Sequence, residues 1–300
     1  MACIVVMDIG GTFIKSALSD AQTGRVMLET VYEVPTNANG GSEAFFASLL
    51  QVLDHARSYS QELVGVSLCI PGPFDYEKNI SHMEHKFSAI YNRSLDPFFA
   101  EQKLPVVSLH DSTAFLLGEM YYGAAQGYAS AMGVMLGTGF GFSMASGGKV
   151  LVSEDQRPSV KLWNKPYEQG IVEDYVSSRA MRVWYQTFSD YPYELDVKEI
   201  GIRAESGEKL AQQLFEEVGR HIGRIIKQYI PSTSYECLVL GGQIARSHQF
   251  IIPGILESLS CPVVPAKFIS SAALWGAGSY RLRGKSASVQ IVSEQEVLIR

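Results

Sequence analysis

Apolar runs separated by glycine turns open the chain. The apolar run 4–6 and the alternating stretch 13–18 flank the turn Asp8-Ile9-Gly10-Gly11-Thr12, and a third apolar-rich stretch covers 26–34. Short runs of this kind, bounded by Gly-rich turns, are typical of antiparallel strands. The sequence therefore predicts a three-stranded meander over residues 4–34, with the Gly-Gly turn in its first hairpin.

The pattern then alternates between helix and strand. Apolar side chains between residues 45 and 53 recur at helical spacing, which predicts a helix from Ser42, its expected N-cap, to about Arg57. Buried strands are predicted over 63–69 and 106–109. The small and polar residues that follow these two strands are Pro71, Gly72, Pro73, His110 and Asp111.

Residues 131–152 repeat the opening pattern. A strand-like run over 131–136 is followed by the turn Gly137-Thr138-Gly139, a strand-like run over 140–145 and, after a second glycine turn, the run 150–152. Self-similarity of this kind indicates two related halves, although two unrelated Gly/Thr hairpins would give the same pattern. Two such halves predict an α/β protein of two domains, with a nucleotide in the cleft between them.

The last third of the chain adds a long helix over 210–226, whose apolar stripe indicates core, and a strand over 238–240 that ends at Gly241-Gly242. A small-residue turn at the carboxyl end of a strand lets a flat ring lie against the backbone, which suits an adenosine contact. The alternative interpretation of Gly241-Gly242, equally good from the sequence, is a glycine pair that packs against a helix. A small-residue helix is predicted over 271–278, and the tail 288–292 is strand-like.

Composition narrows the possible partners. The 300 residues are 46% hydrophobic and 19% charged, enough for a large core in two domains, and the net charge of −6 argues against a nucleic-acid partner. No leader pattern or apolar stretch of membrane-spanning length is present, so no membrane association and a cytoplasmic location are expected. Cysteines stand far apart and are interpreted as reduced core thiols, not as a zinc site or disulfide framework: Cys3, Cys69, Cys237 and Cys261.

The first glycine turn carries candidate chemistry. Gly10 and Gly11 leave backbone N–H groups uncovered for a polyanion, Thr12 adds a hydroxyl, and Asp8 can hold a hydrated cation beside phosphates. Neither the Walker pattern nor the dinucleotide G-x-G-x-x-G pattern is present here, so the interpretation is a phosphate site built on a hairpin. An ordinary hairpin turn is the alternative.

Seven segments, taken in order, resemble the ROK family of sugar kinases over residues 4 to about 282. They are Asp8 to Thr12, Pro71-Gly72-Pro73, Asp111 before a helix with Gly118-Glu119, Leu136 to Gly139, Gly170 to Ser177, Leu240-Gly241-Gly242 and Ala272 to Ala277. The resemblance implies two actin-like (ribonuclease H-like) α/β domains with sugar and ATP in the cleft, usually as a homodimer. We expect an N-terminal domain over 1–112, which the segment 283–300 could join, and a larger C-terminal domain over 113–282. The extra N-terminal DNA-binding region of ROK regulators is not expected, since the first strand begins near Ile4.

The resemblance also implies a function: ATP- and Mg²⁺-dependent phosphorylation of a primary hydroxyl of a hexose or hexose derivative. Asp111 is the expected catalytic base, with an ordinary helix N-cap as the alternative. Glu173 is an expected sugar ligand, with a first-turn glutamate favoured by the helix dipole as the alternative. The expected phosphate and nucleotide ligands are Gly10, Gly11, Thr12, Gly137, Thr138, Gly139, Gly241 and Gly242, with Asp8 oriented toward Mg²⁺ through water. The expected sugar ligands are His110, Asp111, Glu173, Pro71 and Gly72.

The sequence departs from the family between Val152 and Gly170. The G-E-x-G-H sugar motif and the C-x-C-G-x-x-G-C zinc cluster are both absent, and His110 stands where many members have Asn. No structural zinc is therefore expected, and the substrate is expected to be altered at carbon 1 or 2: a β-glucoside, an anhydro sugar or an N-acyl amino sugar. Trp163 or Tyr167 could stack on the sugar ring. A non-catalytic sugar-sensing or scaffold protein of the same fold is the alternative, and polyphosphate stays open as a donor.

Overall fold

The computed structural model describes residues 1–232 and 235–299, and the chain forms two halves, each built on a mixed β-sheet. The strands of the first half are β1 (Cys3–Ile9), β2 (Phe13–Asp20), β3 (Val26–Pro35), β4 (Leu63–Cys69), β5 (Phe74–Asp75), β6 (Ile80–Ser81) and β7 (Val106–Leu109). Those of the second half are β8 (Ala131–Leu136), β9 (Phe140–Ser146), β10 (Lys149–Val152), β11 (Pro166–Tyr167), β12 (Gly170–Ile171), β13 (Cys237–Gly241), β14 (Val263–Pro265) and β15 (Val289–Ile291).

Helices cover both sheets. They are α1 (Ser42–Tyr59), α2 (Asp96–Glu101), α3 (Asp111–Tyr122), α4 (Glu173–Val176), α5 (Ser178–Phe188), α6 (Val197–Glu205), α7 (Lys209–Tyr229), α8 (His248–Leu256), α9 (Ala272–Arg283), α10 (Lys285–Ser288) and α11 (Glu294–Ile299), with short 3₁₀ helices over Ser88–Ile90 and Gln243–Ser247. Over the described part of the chain, no helix combines the length and the apolar character needed to cross a lipid bilayer.

The two main sheets share one connectivity. The first has the order β3-β2-β1-β4-β7, in which β1–β3 are antiparallel and β4 and β7 run parallel to β1. The second repeats this order as β10-β9-β8-β13-β14 and adds β15 beside β10. This repetition confirms the predicted α/β class and the internal echo between residues 4–34 and 131–152.

The start of α1 differs from the prediction. Ser42 is the first helical residue, and Gly41, with φ 93°, occupies the N-cap without a side-chain cap. The Ser42 hydroxyl instead accepts a hydrogen bond from Arg93 Nη1 at 3.1 Å. Glycine occupies this N-cap position because a φ of 93° strains residues that have a side chain.

Two helices join the halves at backbone contact. A Cβ on Gly276 of α9 would lie 1.8 Å from the carbonyl oxygen of Ala114 in α3, and a Cβ on Gly118 of α3 would lie 2.1 Å from that of Ala272. Around this crossing, apolar side chains from both sheets and both helices form one buried cluster, including Val6 and Val239. Because only glycine permits this approach, the crossing ties the two sheets into a fixed arrangement.

The C-terminal tail packs differently from the expectation that 283–300 could join the first domain. β15 pairs in parallel with β10, so Val289 lies opposite Val150 in the second sheet. It is α9 that packs against β1 and β4 of the first sheet. A strand at an open sheet edge satisfies backbone hydrogen bonds that would otherwise face solvent, which favours this position for the tail.

A buried carboxylate stabilises the crossing of α3 and α9. Glu119 is 0% exposed, and its two oxygens accept hydrogen bonds from the N–H groups of Ala124 (2.7 Å), Lys267 (3.0 Å) and Phe268 (2.9 Å). The carboxylate thus links the end of α3 to the loop that leads into α9.

We expect Glu119→Gln to lower the free energy of unfolding by about 2 to 3 kcal/mol, because an amide NH₂ cannot accept from the backbone donors it would face. Urea unfolding followed by circular dichroism measures the loss. Glu101→Gln, which changes an exposed glutamate at the end of α2, is the matched control and should stay within about 0.5 kcal/mol of the wild type. Equal stabilities of the two variants would contradict a stabilising role for Glu119.

Candidate active site

Parallel strands bring the predicted polar residues to one edge of the first sheet. β1, β4 and β7 are neighbours in register, with Asp8 opposite Cys69 and Cys69 opposite Leu109. The loop after β4, with Gly72, and the residue Asp111 that follows β7 therefore share an edge with Asp8. Ligands of open α/β sheets bind at this carboxyl edge.

The first glycine turn uses part of its own hydrogen-bonding capacity. The N–H of Gly10 donates to the Phe13 carbonyl at 3.0 Å, and the Thr36 hydroxyl donates to the Gly10 carbonyl at 2.7 Å. Within the described residues, the N–H groups of Gly11 and Thr12 have no acceptor, and both residues are exposed. The N–H of Gly10, an expected phosphate donor, therefore closes the turn, whereas the N–H groups of Gly11 and Thr12 are free to donate.

In the second glycine turn, too, one N–H group closes the turn and two are free. The N–H of Gly137 donates to the Gly139 carbonyl at 3.2 Å, and its carbonyl accepts from the N–H of Ser178 at the start of α5. Over residues 1–232 and 235–299, no hydrogen-bond acceptor faces the N–H groups of Thr138 and Gly139. Each turn thus presents two consecutive backbone donors, which is how glycine-rich loops bind phosphates.

Glu173 supports this second turn. Its Oε1 accepts a hydrogen bond from the N–H of Phe140 at 3.1 Å, and a Cβ on Gly139 would lie 2.3 Å from that oxygen. A side chain at position 139 would have to displace the Glu173 carboxylate from the turn. The predicted sugar ligand is therefore engaged with the turn, and it is not among the residues that line the neighbouring cavity.

Asp8 and Asp111 form a coupled pair of carboxyl groups. Burial, reinforced by the negative charge of Asp111 and only partly offset by Lys15, raises the pKa of Asp8 to about 7. Burial would also raise the pKa of Asp111, but the charge and hydrogen bond of His110, the N–H of Ser112 and the charge of Lys86 outweigh it and lower that pKa to about 2. At neutral pH, Asp111 is ionised and Asp8 titrates.

His110 and Ser112 hold the Asp111 carboxylate in place. Asp111 Oδ1 lies 2.8 Å from His110 Nδ1 and accepts from the N–H of Ser112 at 2.6 Å. His110 Nδ1 also lies 3.2 Å from that N–H. A protonated Nδ1 donates to the carboxylate and cannot also accept from Ser112. We therefore assign two hydrogen bonds to Asp111 Oδ1, one from His110 Nδ1 and one from the N–H of Ser112, and none between Ser112 and His110. Asp111 is the first residue of α3, one residue earlier than predicted, and His110 occupies the N-cap, so Asp111 is not the N-cap of this helix.

Lys86 is a site residue that sequence reasoning missed. A Cβ on Gly11 would lie 3.6 Å from Lys86 Cε, and the lysine charge helps to lower the pKa of Asp111. Its side chain is exposed, and no carboxylate of the described residues lies within ion-pair distance. Lys86 therefore places an unpaired positive charge near the first glycine turn, where it also acts on the Asp111 carboxylate.

A cavity of about 190 Å³ is lined by His110 and Ser112, the two chain neighbours of Asp111, and Asp111 itself is not among its lining residues. The first half contributes Gly72, Pro73, His110 and Ser112 to its wall. The second half contributes the segment 140–142 and most of 157–163, including Arg157, Lys161 and Trp163. The stretch that replaces the sugar and zinc motifs therefore covers this cavity.

Two aromatic candidates of this stretch have different surroundings. Trp163 lines the cavity and is 45% exposed, so its ring can reach a ligand there. Tyr167 is buried, and its hydroxyl lies 2.9 Å from His221 Nδ1 on the other side of the segment. Of the two predicted stacking residues, only Trp163 faces the cavity.

Gly241 and Gly242 are required by packing. A Cβ on Gly241 would lie 2.3 Å from the Phe115 ring of α3. Gly242 has φ 83°, and a Cβ there would lie 2.2 Å from the Leu136 carbonyl. Packing thus explains why both residues are glycine, without an adenosine contact.

The donor set fits a magnesium ion that arrives with phosphates. Asp8 and Asp111 are near enough for their charges to repel, and a divalent cation beside Asp8 would relieve that repulsion. No group of three or more His, Cys, Asp or Glu side chains among the described residues could hold a metal by itself. Mg²⁺ bound by one or two carboxylates, phosphate oxygens and water needs no larger protein cluster.

Comparison with known proteins identifies the family. The model of the ROK family matches residues 4–154 and 167–277, so the unmatched interval falls within the stretch that covers the cavity. The glucokinase of Thermotoga maritima is 23% identical over 286 residues, which cover 88% of this chain and 89% of that protein. The DNA-binding transcriptional dual regulator NagC of Escherichia coli is 23% identical over 263 residues, covering 81% of this chain and 64% of the regulator.

A solved structure supports the same assignment. The ROK family glucokinase from Streptomyces griseus, determined in complex with glucose and AMPPNP, superposes with a TM-score of 0.76 at 20% identity, covering 94% of this chain and 100% of that one. This likeness confirms the predicted fold of two actin-like α/β domains. Because the family model also matches most of both halves, the chain belongs to the ROK family.

Proposed function

We propose that this protein transfers the terminal phosphoryl group of ATP to a primary hydroxyl of a hexose or hexose derivative. The observation that carries the proposal is the position of Asp111. Its neighbours His110 and Ser112 line the cavity, while Asp8 and Lys86 connect it electrostatically to the first glycine turn. A hydroxyl held in the cavity would therefore meet an ionised carboxylate and a phosphate-binding turn together.

Asp111 would act on the acceptor hydroxyl. Its pKa of about 2 keeps it ionised, so it can accept a hydrogen bond from the hydroxyl and orient the oxygen toward the phosphoryl group. A carboxylate of such low basicity removes the proton late, as the forming O–P bond makes the hydroxyl acidic. The hydrogen bond from His110 and the N–H of Ser112 hold the carboxylate during this transfer.

The two glycine turns would bind the phosphates. The free N–H groups of Gly11, Thr12, Thr138 and Gly139 supply donors, and the Thr12 hydroxyl adds another. Lys86 supplies a positive charge near the same turn. When bound, Mg²⁺ would neutralise charge on the phosphates, with Asp8 holding it through water. Adenosine would lie toward Gly241 and Gly242.

The sugar would occupy the cavity beside Asp111. Gly72, His110 and Trp163 are in its wall, and Trp163 offers an apolar ring face of the kind that packs against a pyranose. The absence of the usual sugar motif from the segment that covers this cavity supports a derivative altered at carbon 1 or 2, such as a β-glucoside, an anhydro sugar or an N-acyl amino sugar. Glu173, through the second turn, would position the loop that faces this substrate.

A non-catalytic sugar-sensing protein is the second candidate. It is favoured by the similarity to NagC over both halves and by Phe142, a bulky side chain in the cavity wall. Such a protein would bind sugar or nucleotide without turnover.

An ATP-consumption screen separates the two. The purified protein is assayed with glucose, mannose, fructose, N-acetylated hexosamines, β-glucosides and 1,5-anhydro sugars, and sugar binding is measured in parallel by calorimetry. We expect one sugar class to raise ATP consumption well above the sugar-free rate. Sugar binding without turnover of any compound would support the sensor and contradict the kinase.

A further inference from the structure

The cavity beside Asp111 has a basic wall. Arg157 and Lys161 both line it, and its lining contains no aspartate or glutamate. The other polar side-chain groups in its lining are the His110 ring and the Ser112 hydroxyl, on the opposite half, and the indole N–H of Trp163. On the side contributed by the second half, the polar side-chain groups are therefore all hydrogen-bond donors, and two of the three are cationic.

Such a wall offers a sugar no side-chain acceptor from the second half. A sugar hydroxyl both donates and accepts, so protein sites pair its O–H with acceptors such as carboxylates and amide oxygens, whereas lysine and arginine only donate. A cationic group gains most from an anionic partner, because charge-assisted hydrogen bonds are about twice as strong as neutral ones.

Lys161 is the cation with the greatest capacity for a new partner. It is half-buried between the buried residues Val160 and Leu162, and none of the carboxylates described in the structure lies within ion-pair distance of it. The other lysine of this segment, Lys165, is by contrast paired with Glu294 at 2.8 Å.

Arg157 is partly neutralised but still offers donors. Its Nε and Nη2 both contact Oδ2 of Asp155, while no described residue accepts from its Nη1. Its Cδ lies 3.1 Å from the position of a Cβ on Gly72, which places the side chain across the cavity from the second half to the first. Arg157 and Lys161 can thus meet one anionic group from two directions.

From this wall we infer that the substrate is a hexose derivative that carries an acidic substituent, a carboxylate or a phosphate ester, on a carbon other than the one bearing the reacting primary hydroxyl. The inference rests on the proposed kinase function and specifies its substrate class. The hydroxyl would lie at Asp111 and the acidic group at Lys161 and Arg157.

Two matched pairs of probes test this inference. Glucose is compared with α-glucose 1-phosphate, and N-acetylglucosamine with its 3-O-lactyl ether, N-acetylmuramic acid; all four retain the primary hydroxyl. We expect at least one acidic probe to exceed its neutral counterpart by about tenfold or more in kcat/KM. The first pair identifies a phosphate ester as the preferred group and the second identifies a carboxylate.

Lys161→Gln should abolish this preference. The variant is expected to lose about tenfold in kcat/KM for the acidic probe while changing less than about twofold for the neutral one. Lys227→Gln, on the exposed end of α7, is the matched control and should alter neither value. If Lys161→Gln instead raised KM for ATP equally with every sugar, the lysine would serve the nucleotide and the inference would be wrong.

The inference and the kinase proposal fail in different ways. Equal or better turnover of the neutral member in both pairs would overturn the inference of an acidic substituent but would still support the kinase proposal. Absence of turnover with all four probes and with the wider sugar screen would contradict the kinase. Calorimetric titration of each probe would then still decide the charge preference, and tighter binding of the neutral members would overturn it.

Discussion

Asp111→Asn is expected to lower kcat by about 10³-fold while the protein stays folded. Asparagine retains an oxygen that can accept from the N–H of Ser112, so the start of α3 is preserved. It cannot accept the proton of the attacking hydroxyl, and it removes the charge that orients that hydroxyl. Steady-state kinetics on the sugar identified by the screen, with circular dichroism as a check on folding, measure the effect.

The sugar affinity of this variant distinguishes catalysis from binding. If Asp111 acts mainly on the transition state, kcat falls and the sugar dissociation constant changes little. Asp54→Asn, on the exposed face of α1, is the matched control and should leave both values unchanged. Turnover within about tenfold of the wild type would remove Asp111 from the catalytic role.

The meander and its repeat were predictable because they depend on local signals. Alternating apolar residues and glycine turns report strands and hairpins within a few residues, and the same order over 131–152 then suggested a second domain. The carboxyl-edge positions of Asp8 and Asp111 followed from these strands, since parallel neighbours end at the same side of a sheet.

Contacts between distant segments were not predictable in this way. Gly241 meets the Phe115 ring, and no feature near either residue separates that packing from an adenosine contact. Lys86 is one exposed lysine in a loop, and only the fold brings it beside Gly11. Whether the N–H of Gly10 is free likewise depends on the backbone geometry of the hairpin turn, which the identity of the turn residues does not determine.

Asp8→Asn is expected to stabilise the protein at neutral and alkaline pH and to impair its activity. The pKa of Asp8 is raised to about 7 in the folded protein from 3.8, so the native state holds a proton that the unfolded chain releases. Stability must then fall as pH rises between these two values, and the full loss, about 2 to 4 kcal/mol, is present above pH 7.

The pH dependence is the measurement that identifies this cause. Thermal unfolding should give the variant a Tm higher than that of the wild type by roughly 5 °C at alkaline pH, and the difference should vanish toward pH 4. Asp54→Asn should give no pH-dependent difference. A stabilisation of Asp8→Asn that is constant across this range would contradict the assignment to ionisation of Asp8.

The same carboxylate would be needed for the nucleotide. If Asp8 holds Mg²⁺ through water, Asp8→Asn should lower kcat/KM by about 100-fold, and added Mg²⁺ and ATP should raise the Tm of the wild type more than that of the variant. The variant's Tm advantage over the wild type would therefore shrink or reverse when Mg²⁺ and ATP are present. The opposite result would be a variant that is more stable than the wild type without ligands and gains as much Tm from Mg²⁺ and ATP as the wild type does. Asp8 would then repel Asp111 in the free protein without contributing to ligand binding, and the ion would lie elsewhere.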